Sequence, residues 1–298
     1  MSAASDALGR LRGNPPQPVA TEIAHRPLDR RRRTLVQIGA GTALIAAIVV
    51  AGTVLSASAE LTDLTARRLP PSLAHPFGTD WLGRDMLART LVGLRLSLAI
   101  GTLAATVSAV IALLLAAAAG ALGRRVDTAV SWLVDLFLAI PHLVLLILIA
   151  FAAGRGARGV IIAVAVTHWP SLTRLLRGEA RRVAASDYVA VAQRLGHGGW
   201  WVARRHLLAH LVPHFTVGLV LLFPHAILHE AALSFLGLGL SPHAPAIGII
   251  LSDAMRYLSA GAWWLAVLPG LALLTVVKAV DTVGENLRAL ADPHSVHE

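Results

Sequence analysis

The feature that most constrains this chain is a series of six long apolar segments separated by polar connections. An apolar helix of about 20 residues matches a hydrocarbon core of about 30 Å. A helix also satisfies its own backbone hydrogen bonds, as lipid requires. The sequence therefore predicts an all-α integral membrane protein with six transmembrane helices. These run over approximately residues 35–57, 96–122, 130–153, 160–176, 211–233 and 263–283.

The composition agrees with this class of protein. Only 14% of the residues are charged, whereas soluble domains carry roughly 25%. The chain has no Cys, which excludes disulfides, thiolate metal sites and cysteine catalysis. The net charge is +9. We interpret the basic residues as loop residues that set the orientation in the membrane and face anionic lipid. We do not expect nucleic-acid binding, because no basic helix is interleaved with stacking aromatic residues.

The polar segments divide the chain into regions. We expect the N-terminal segment, which ends in four consecutive Arg, to be a flexible tail and not a cleaved signal peptide. The predicted regions are a cytoplasmic tail over 1–34, the first transmembrane helix over 35–57, an extracytoplasmic connection over 58–91, a core of five further helices over 92–287 with a polar loop at 177–211, and a cytoplasmic tail over 288–298.

The distribution of Arg predicts the orientation. With the N-terminus in the cytoplasm, 17 Arg fall in cytoplasmic segments and seven outside. Cytoplasmic loops carry an excess of basic residues. Both termini and the stretch Asp187–Phe215 are therefore predicted to be cytoplasmic.

The stretch Asp187–Phe215 is rich in charge, His and Gly, unlike the apolar segments on either side. Residues 187–195 contain no Pro or Gly, Gly196 breaks the run, and a helical pattern resumes at Trp200. The sequence predicts helix–Gly–helix. From the residues alone, this segment is either a docking surface or an amphipathic helix on the membrane surface.

Five ordered motifs resemble one family. They are HPFGTDWLGRDMLART, DYVAVAQRLG, RRHLLAH, SFLGLGLSP and ALADPH, and together they cover about residues 70–294. They are similar to the inner-membrane permease subunits of binding-protein-dependent ABC importers, in the branch that carries dipeptides, oligopeptides and nickel. The resemblance implies a type I permease fold in the bacterial inner membrane. It also implies pairing with a second homologous permease, docking on two ATPase subunits and delivery of cargo by an extracytoplasmic binding protein.

The chain itself lacks the GxxxxGK[ST] phosphate loop. We therefore expect no ATPase site and no bound cofactor here, with ATP and Mg²⁺ used by the partner subunits. A membrane enzyme or a scaffold is the alternative class of function. A hydrolase would need a positioned nucleophile or an activated metal-bound water, and the sequence contains neither HExxH nor GxSxG.

The resemblance makes Asp187–Phe215 a loop that couples the permease to its ATPases. The family pattern is roughly DYVEAARALG followed by RHLLPN. Two positions depart from it, because Ala190 replaces Glu and Ala209 replaces Pro. The implied coupling residues are Asp187, Tyr188, Val189, Ala190, Ala192, Leu195, Gly196, Arg205 and His206.

Histidines in the fifth span are the candidate substrate-path residues. His225 and His229 are four residues apart, so they share a helix face, and Glu230 follows. Ionisable residues within a span normally face a pathway or the bundle interior, and imidazoles suit nickel, cobalt or zinc. The segment resembles that of nickel permeases, so nickel is the predicted cargo, with a dipeptide or oligopeptide as the alternative. The histidines could instead hydrogen-bond to a neighbouring span.

Other histidines have simpler interpretations. His206, His210 and His214 repeat every four residues, and we expect a solvated or ATPase-facing row. His294 and His297 are expected in a disordered tail.

Overall fold

The computed structural model describes residues 27–241 and 244–291, and within these ranges all regular secondary structure is helical. The predicted all-α class is confirmed. The helices are α1 (Pro27–Val54), α2 (Met86–Ala121), α3 (Arg124–Ala139), α4 (His142–Ala152), α5 (Ala157–Thr167), α6 (Trp169–Ala184), α7 (Asp187–Arg194), α8 (Gly199–Val202), α9 (Leu208–Phe235), α10 (Ile247–Leu258) and α11 (Trp264–Ala291). Short 3₁₀ turns occupy Ser58–Glu60 and Leu64–Ala66, and a π-helical turn, Ala203–Leu207, joins α8 to α9.

Five helical segments in the described residues are long and apolar enough to cross a membrane, and the bent pair of α3 and α4 gives a sixth if the two together are one span. The five segments are Arg31–Val54, Met86–Ala121, Ala157–Ala184, Gly199–Phe235 and Trp264–Leu290. The six predicted spans correspond to these six, but their bounds differ. Helices continue beyond the apolar runs, because polar residues at the ends of a helix are solvated without breaking its hydrogen bonds.

The first and last long helices extend into the regions predicted as tails. Helix α1 already begins at Pro27, inside the predicted N-terminal tail, and α11 continues to Ala291, inside the predicted C-terminal tail. Residues 1–26 and 292–298 lie outside the described residues, as do His294 and His297.

The third span is interrupted at Pro141. Helices α3 and α4 meet at 96° across this residue. Pro lacks an N–H and disfavours helical backbone at the preceding residue, and Ile140 is extended at φ −85° and ψ 134°. The fourth span also changes helix near a Pro, since α5 ends at Thr167, α6 begins at Trp169 and Pro170 follows in its first turn.

Helix α2 is the centre of the molecule. Its 36 residues give a length of about 54 Å at 1.5 Å per residue. It packs against α6 and α9 through small side chains, which allow close approach of helices in lipid. Fully buried alanines follow one another along it at residues 104, 105, 109, 112 and 116.

The N-terminal end of α2 carries the HPFGTDWLGRD motif, which folds around Asp80. The Asp80 carboxylate accepts hydrogen bonds from the backbone N–H of Leu82 at 2.8 Å and of Arg84 at 3.0 Å, and from Arg84 Nε at 2.7 Å. Buried Arg89 lies 3.7 Å from the same carboxylate. Asp85 then caps α2 by accepting from the Ala88 N–H. The motif therefore forms the structured start of the second span.

Helix α10 is absent from the sequence-based prediction. It packs beside the HPFGTDWLGRD motif, where Ile250 and Ala254 contact Met86 and Leu265. This amphipathic helix is too short to span a membrane. It covers one end of the helix bundle, at the opposite end of α2 from the segment described next.

Candidate functional sites: coupling segment and histidine cluster

The coupling segment, defined as residues 187–207, lies at the C-terminal end of α2. Helix α7 follows α6 after a two-residue break. Val189 and Ala192 on α7 are buried, and Val189 packs in one apolar cluster with Val202 and Leu207 from the second half of the segment. These contacts fix the direction in which α7 projects from the bundle.

Gly196 ends α7 in the left-handed region at φ +89°. The His197 N–H donates to the Ala192 carbonyl at 3.1 Å, and the Gly196 N–H donates to the Gln193 carbonyl at 3.0 Å. These two bonds define a Schellman motif, in which Gly is the favoured residue because it has no Cβ. The predicted helix–Gly–helix arrangement is confirmed, since helical structure resumes at Gly199.

The outer face of α7 is exposed and partly apolar. Val191 and Leu195 are 54% and 74% exposed, and Asp187 and Ala190 are exposed beside them. The predicted coupling residues thus divide into two groups. Val189 and Ala192 pack inward, and the remaining α7 positions project from the protein. An exposed apolar face on a positioned helix is typical of a docking surface.

The second half of the coupling segment packs against α7 through aromatic rings. The Tyr188 ring lies 5.3 Å from the His206 ring, and Trp201 lies 5.2 Å from His206. Arg205 is exposed and His206 half-buried. A Cβ on Gly199 would meet the carbonyl of Ala121, the last residue of α2. The coupling segment is therefore in direct contact with the central helix.

Ion pairs tie the helix that precedes α7 to α3. Asp127 on α3 pairs with Arg177 Nε at 2.5 Å and with Arg181 on α6, and Asp135 pairs with Arg174 at 2.8 Å. Asp127 and Arg177 are largely buried. A displacement of α7 would therefore carry α6 and α3 together.

The three predicted substrate-path residues of the fifth span do not form one site. His225 is exposed on α9, and His229, one turn later, is half-buried. Glu230 is fully buried, lies near Ser97 of α2 and accepts a hydrogen bond from Ser234 at 2.8 Å. Consecutive residues of a helix point about 100° apart, so Glu230 faces α2 while His229 faces the third and fourth spans.

His229 belongs instead to a cluster of three histidines, His142, His168 and His229, referred to below as the histidine cluster. One ligand nitrogen from each lies within 4.8 Å of the others. The ring centroids are 4.7 Å apart for His142 and His168, 4.8 Å for His142 and His229, and 4.9 Å for His168 and His229. His168 is buried, and the other two are half-buried.

His142 and His168 are not among the site residues predicted from the sequence. His142 directly follows Pro141 at the break between α3 and α4, and His168 stands between α5 and α6. Irregular backbone at membrane depth is tolerated where it is buried in protein or lines a cavity. In the sequence, each of these two histidines lies within two residues of a Pro in a predicted span, and this proximity could have indicated them as candidate site residues.

Comparison with known proteins agrees with this architecture. Residues 108–287 match the family of binding-protein-dependent transport system inner membrane components. A putative peptide transport system permease protein of Brucella suis biovar 1 is 35% identical over 271 residues, covering 91% of both chains. The probable D,D-dipeptide transport system permease protein DdpC of Escherichia coli K12 is 36% identical over 78% of this chain and 77% of its own.

A third relative, the nickel transport system permease protein NikC of Escherichia coli K12, is 34% identical over 79% of this chain and 85% of its own. The region that matches the family model contains the broken third span, the coupling segment, α9 and most of α11. The chain is thus a multi-pass inner-membrane protein and belongs to the family of inner membrane components of binding-protein-dependent transport systems.

Proposed function

We propose that this chain forms half of the translocation path of an ATP-driven importer and transmits the work of two separate ATPase subunits through the coupling segment. A second, homologous permease would complete the path, and an extracytoplasmic binding protein would deliver cargo at the end covered by α10. The observation that carries this proposal is the projecting helix α7, which combines a buried anchoring face with an exposed apolar face.

The contacts of the coupling segment support a mechanical role. The inner face of α7 packs against the residues that lead into α9, and α8 abuts the end of α2. Helix α6 connects directly to α7 and is paired with α3. A push on α7 would therefore reach four spans, which then alternate between two arrangements around the cargo.

The cargo that we propose first is a dipeptide or short oligopeptide. The Brucella suis and DdpC relatives carry peptide or dipeptide in their names and have 35% and 36% identity with this chain. This order reverses the sequence-based prediction, which placed nickel first.

Nickel, or a related divalent metal or metal chelate, is the second candidate. It is favoured by the imidazoles of the histidine cluster and by the similarity to NikC. Neutral imidazole is a good ligand for nickel, cobalt and zinc.

ATP-driven uptake by the complete importer tests the cargo. Vesicles containing both permeases, both ATPases and the binding protein would be given a labelled dipeptide or radioactive nickel. We expect ATP-dependent accumulation of the dipeptide that persists when a metal chelator is present. Accumulation of nickel without dipeptide would favour the second candidate. Accumulation of neither, with ATP hydrolysis intact, would contradict both.

A further inference from the structure

We propose that His142, His168 and His229 together bind one divalent transition-metal ion within the membrane domain. The three residues are far apart in sequence and come from three separate spans, the third, fourth and fifth. Their ligand nitrogens nevertheless converge to within 4.8 Å. This convergence sets them apart from the other histidines of α9, which follow one another along a single helix.

The hydrogen bonds of the cluster indicate which ring nitrogens are protonated and which carry a lone pair. His168 Nδ1 lies 2.9 Å from the Val164 carbonyl, and His229 Nδ1 lies 2.7 Å from the His225 carbonyl. A carbonyl oxygen only accepts, so each Nδ1 carries the proton of the neutral ring and each Nε2 carries a lone pair. The His168 Nε2 lone pair faces the His229 Nδ1–H at 3.3 Å, so a bound ion would take the place of this contact between the two rings. An Nδ1–H to backbone carbonyl bond is the usual outer support of a metal-ligating His.

The Nδ1–H to carbonyl hydrogen bond alone does not distinguish the histidine cluster from other histidines of α9. His210 and His214 make the same bond to the carbonyl one turn earlier, at 2.9 Å and 3.2 Å. Neither is among the three residues whose ligand atoms converge. The convergence therefore carries the proposal, and the hydrogen bonds indicate only that Nε2 is the unprotonated nitrogen of His168 and of His229.

The spacing of the cluster is close to what an ion requires. Metal–nitrogen bonds of about 2.0–2.1 Å in tetrahedral geometry place ligand nitrogens about 3.3 Å apart. The ligand nitrogens lie at most 4.8 Å apart, so each pair would have to approach by about 1.5 Å at most to bind one ion. His142 and His168 stand at breaks between helices, where small movements of backbone are easier than inside a helix. The half-buried positions of His142 and His229 leave room for a fourth ligand.

The ligand type defines the class of ion. Three neutral imidazoles with no carboxylate in the group favour zinc, nickel, cobalt or copper over magnesium and calcium, which prefer oxygen ligands. A bound metal ion would link α4, the α5–α6 junction and α9. The inference does not depend on which cargo is transported, because it concerns binding at this cluster and not the identity of the transported molecule.

The test is metal titration of the complete, purified importer carrying an affinity tag without His. Zinc and nickel binding would be measured by calorimetry, and cobalt binding by its visible absorption. The variants are His142→Ala, His168→Ala and His229→Ala. His225→Ala is the matched control, since His225 lies one turn from His229 on α9 but outside the cluster. We expect each cluster variant to weaken one binding event by about 100-fold or more and the control to retain it.

A rescue variant separates ligation from misfolding. His142→Cys supplies a thiolate ligand in a chain that has no other Cys, so it should restore binding and add a sulfur-to-cobalt charge-transfer band, whereas His142→Ser should not. Equal affinity in wild type and all three cluster variants would overturn the proposal, as would loss of the site in His225→Ala. Uptake that continues without any metal binding at the cluster would overturn this inference and leave the proposed importer function intact.

Discussion

Gly196 shows how a single residue shapes the coupling segment. It ends α7 with a positive φ, and a Cβ built there would meet no atom within 4 Å. The constraint on this position is therefore conformational and not steric. Only Gly, and to a lesser extent Asn, adopts the left-handed region without a penalty.

Replacing Gly196 with Val should destabilise the end of α7 by about 1–2 kcal/mol. Amide hydrogen exchange over residues 187–197 should then be about 5–30 times faster in the assembled importer. Gly196→Asn should have a smaller effect. The matched control is Gly178→Val in α6, where there is also open space but the backbone is ordinary helix. Equal exchange in the two Val variants would contradict this account of Gly196.

At the scale of whole helices, the link between α3 and α6 depends on ion pairs of two kinds. The Asp127–Arg177 pair is only 13% and 14% exposed, whereas the Asp135–Arg174 pair is 65% and 59% exposed. Removing one partner of a buried pair leaves an uncompensated charge, but an exposed pair is replaced by water at little cost.

Asp127→Ala should therefore lower the stability of the assembled importer by about 3 kcal/mol, and Asp135→Ala by about 1 kcal/mol or less. Thermal unfolding of the two purified variants measures the difference. We also expect Asp127→Ala to reduce the uptake obtained per ATP hydrolysed, because α6 and α3 would keep only the exposed Asp135–Arg174 ion pair between them. Equal losses of stability in both variants would show that these pairs do not differ as their burial indicates.

How far the sequence predicts these helices depends on the range of the interactions that form them. Apolar length determines a span locally, so all six spans were predictable, as was the Gly break of the coupling segment. Helix α10 was missed because its 12 residues follow a Gly- and Pro-rich stretch and are stabilised by contacts with Met86 and Leu265, which are distant in sequence.

The histidine cluster was missed for the same reason. Local spacing places His225 and His229 on one face, but it says nothing about His142 and His168, which reach His229 only through the packing of three spans. Glu230 was grouped with His229 because the two are adjacent in sequence, although adjacent helical residues point in different directions.

On the scale of the whole molecule, the long helix α2 separates two surfaces with different proposed partners. One end carries the HPFGTDWLGRD motif and α10. The other end contacts the coupling segment. Cargo delivery and ATP-driven movement would thus act about 50 Å apart, given the rise per residue of a helix, and the spans would connect them.

The central claim is that α7 docks on an ATPase subunit, and site-directed crosslinking tests it most directly. Because the chain has no Cys, Leu195→Cys and Leu73→Cys each introduce a unique thiol in this subunit. Leu73 is fully exposed in the connection between α1 and α2 and serves as the control from the opposite end. In the complete importer treated with a short thiol-to-amine crosslinker, Leu195→Cys should yield a product containing the ATPase subunit, and Leu73→Cys should not. An ATPase product from Leu73→Cys, or none from Leu195→Cys, would contradict the account.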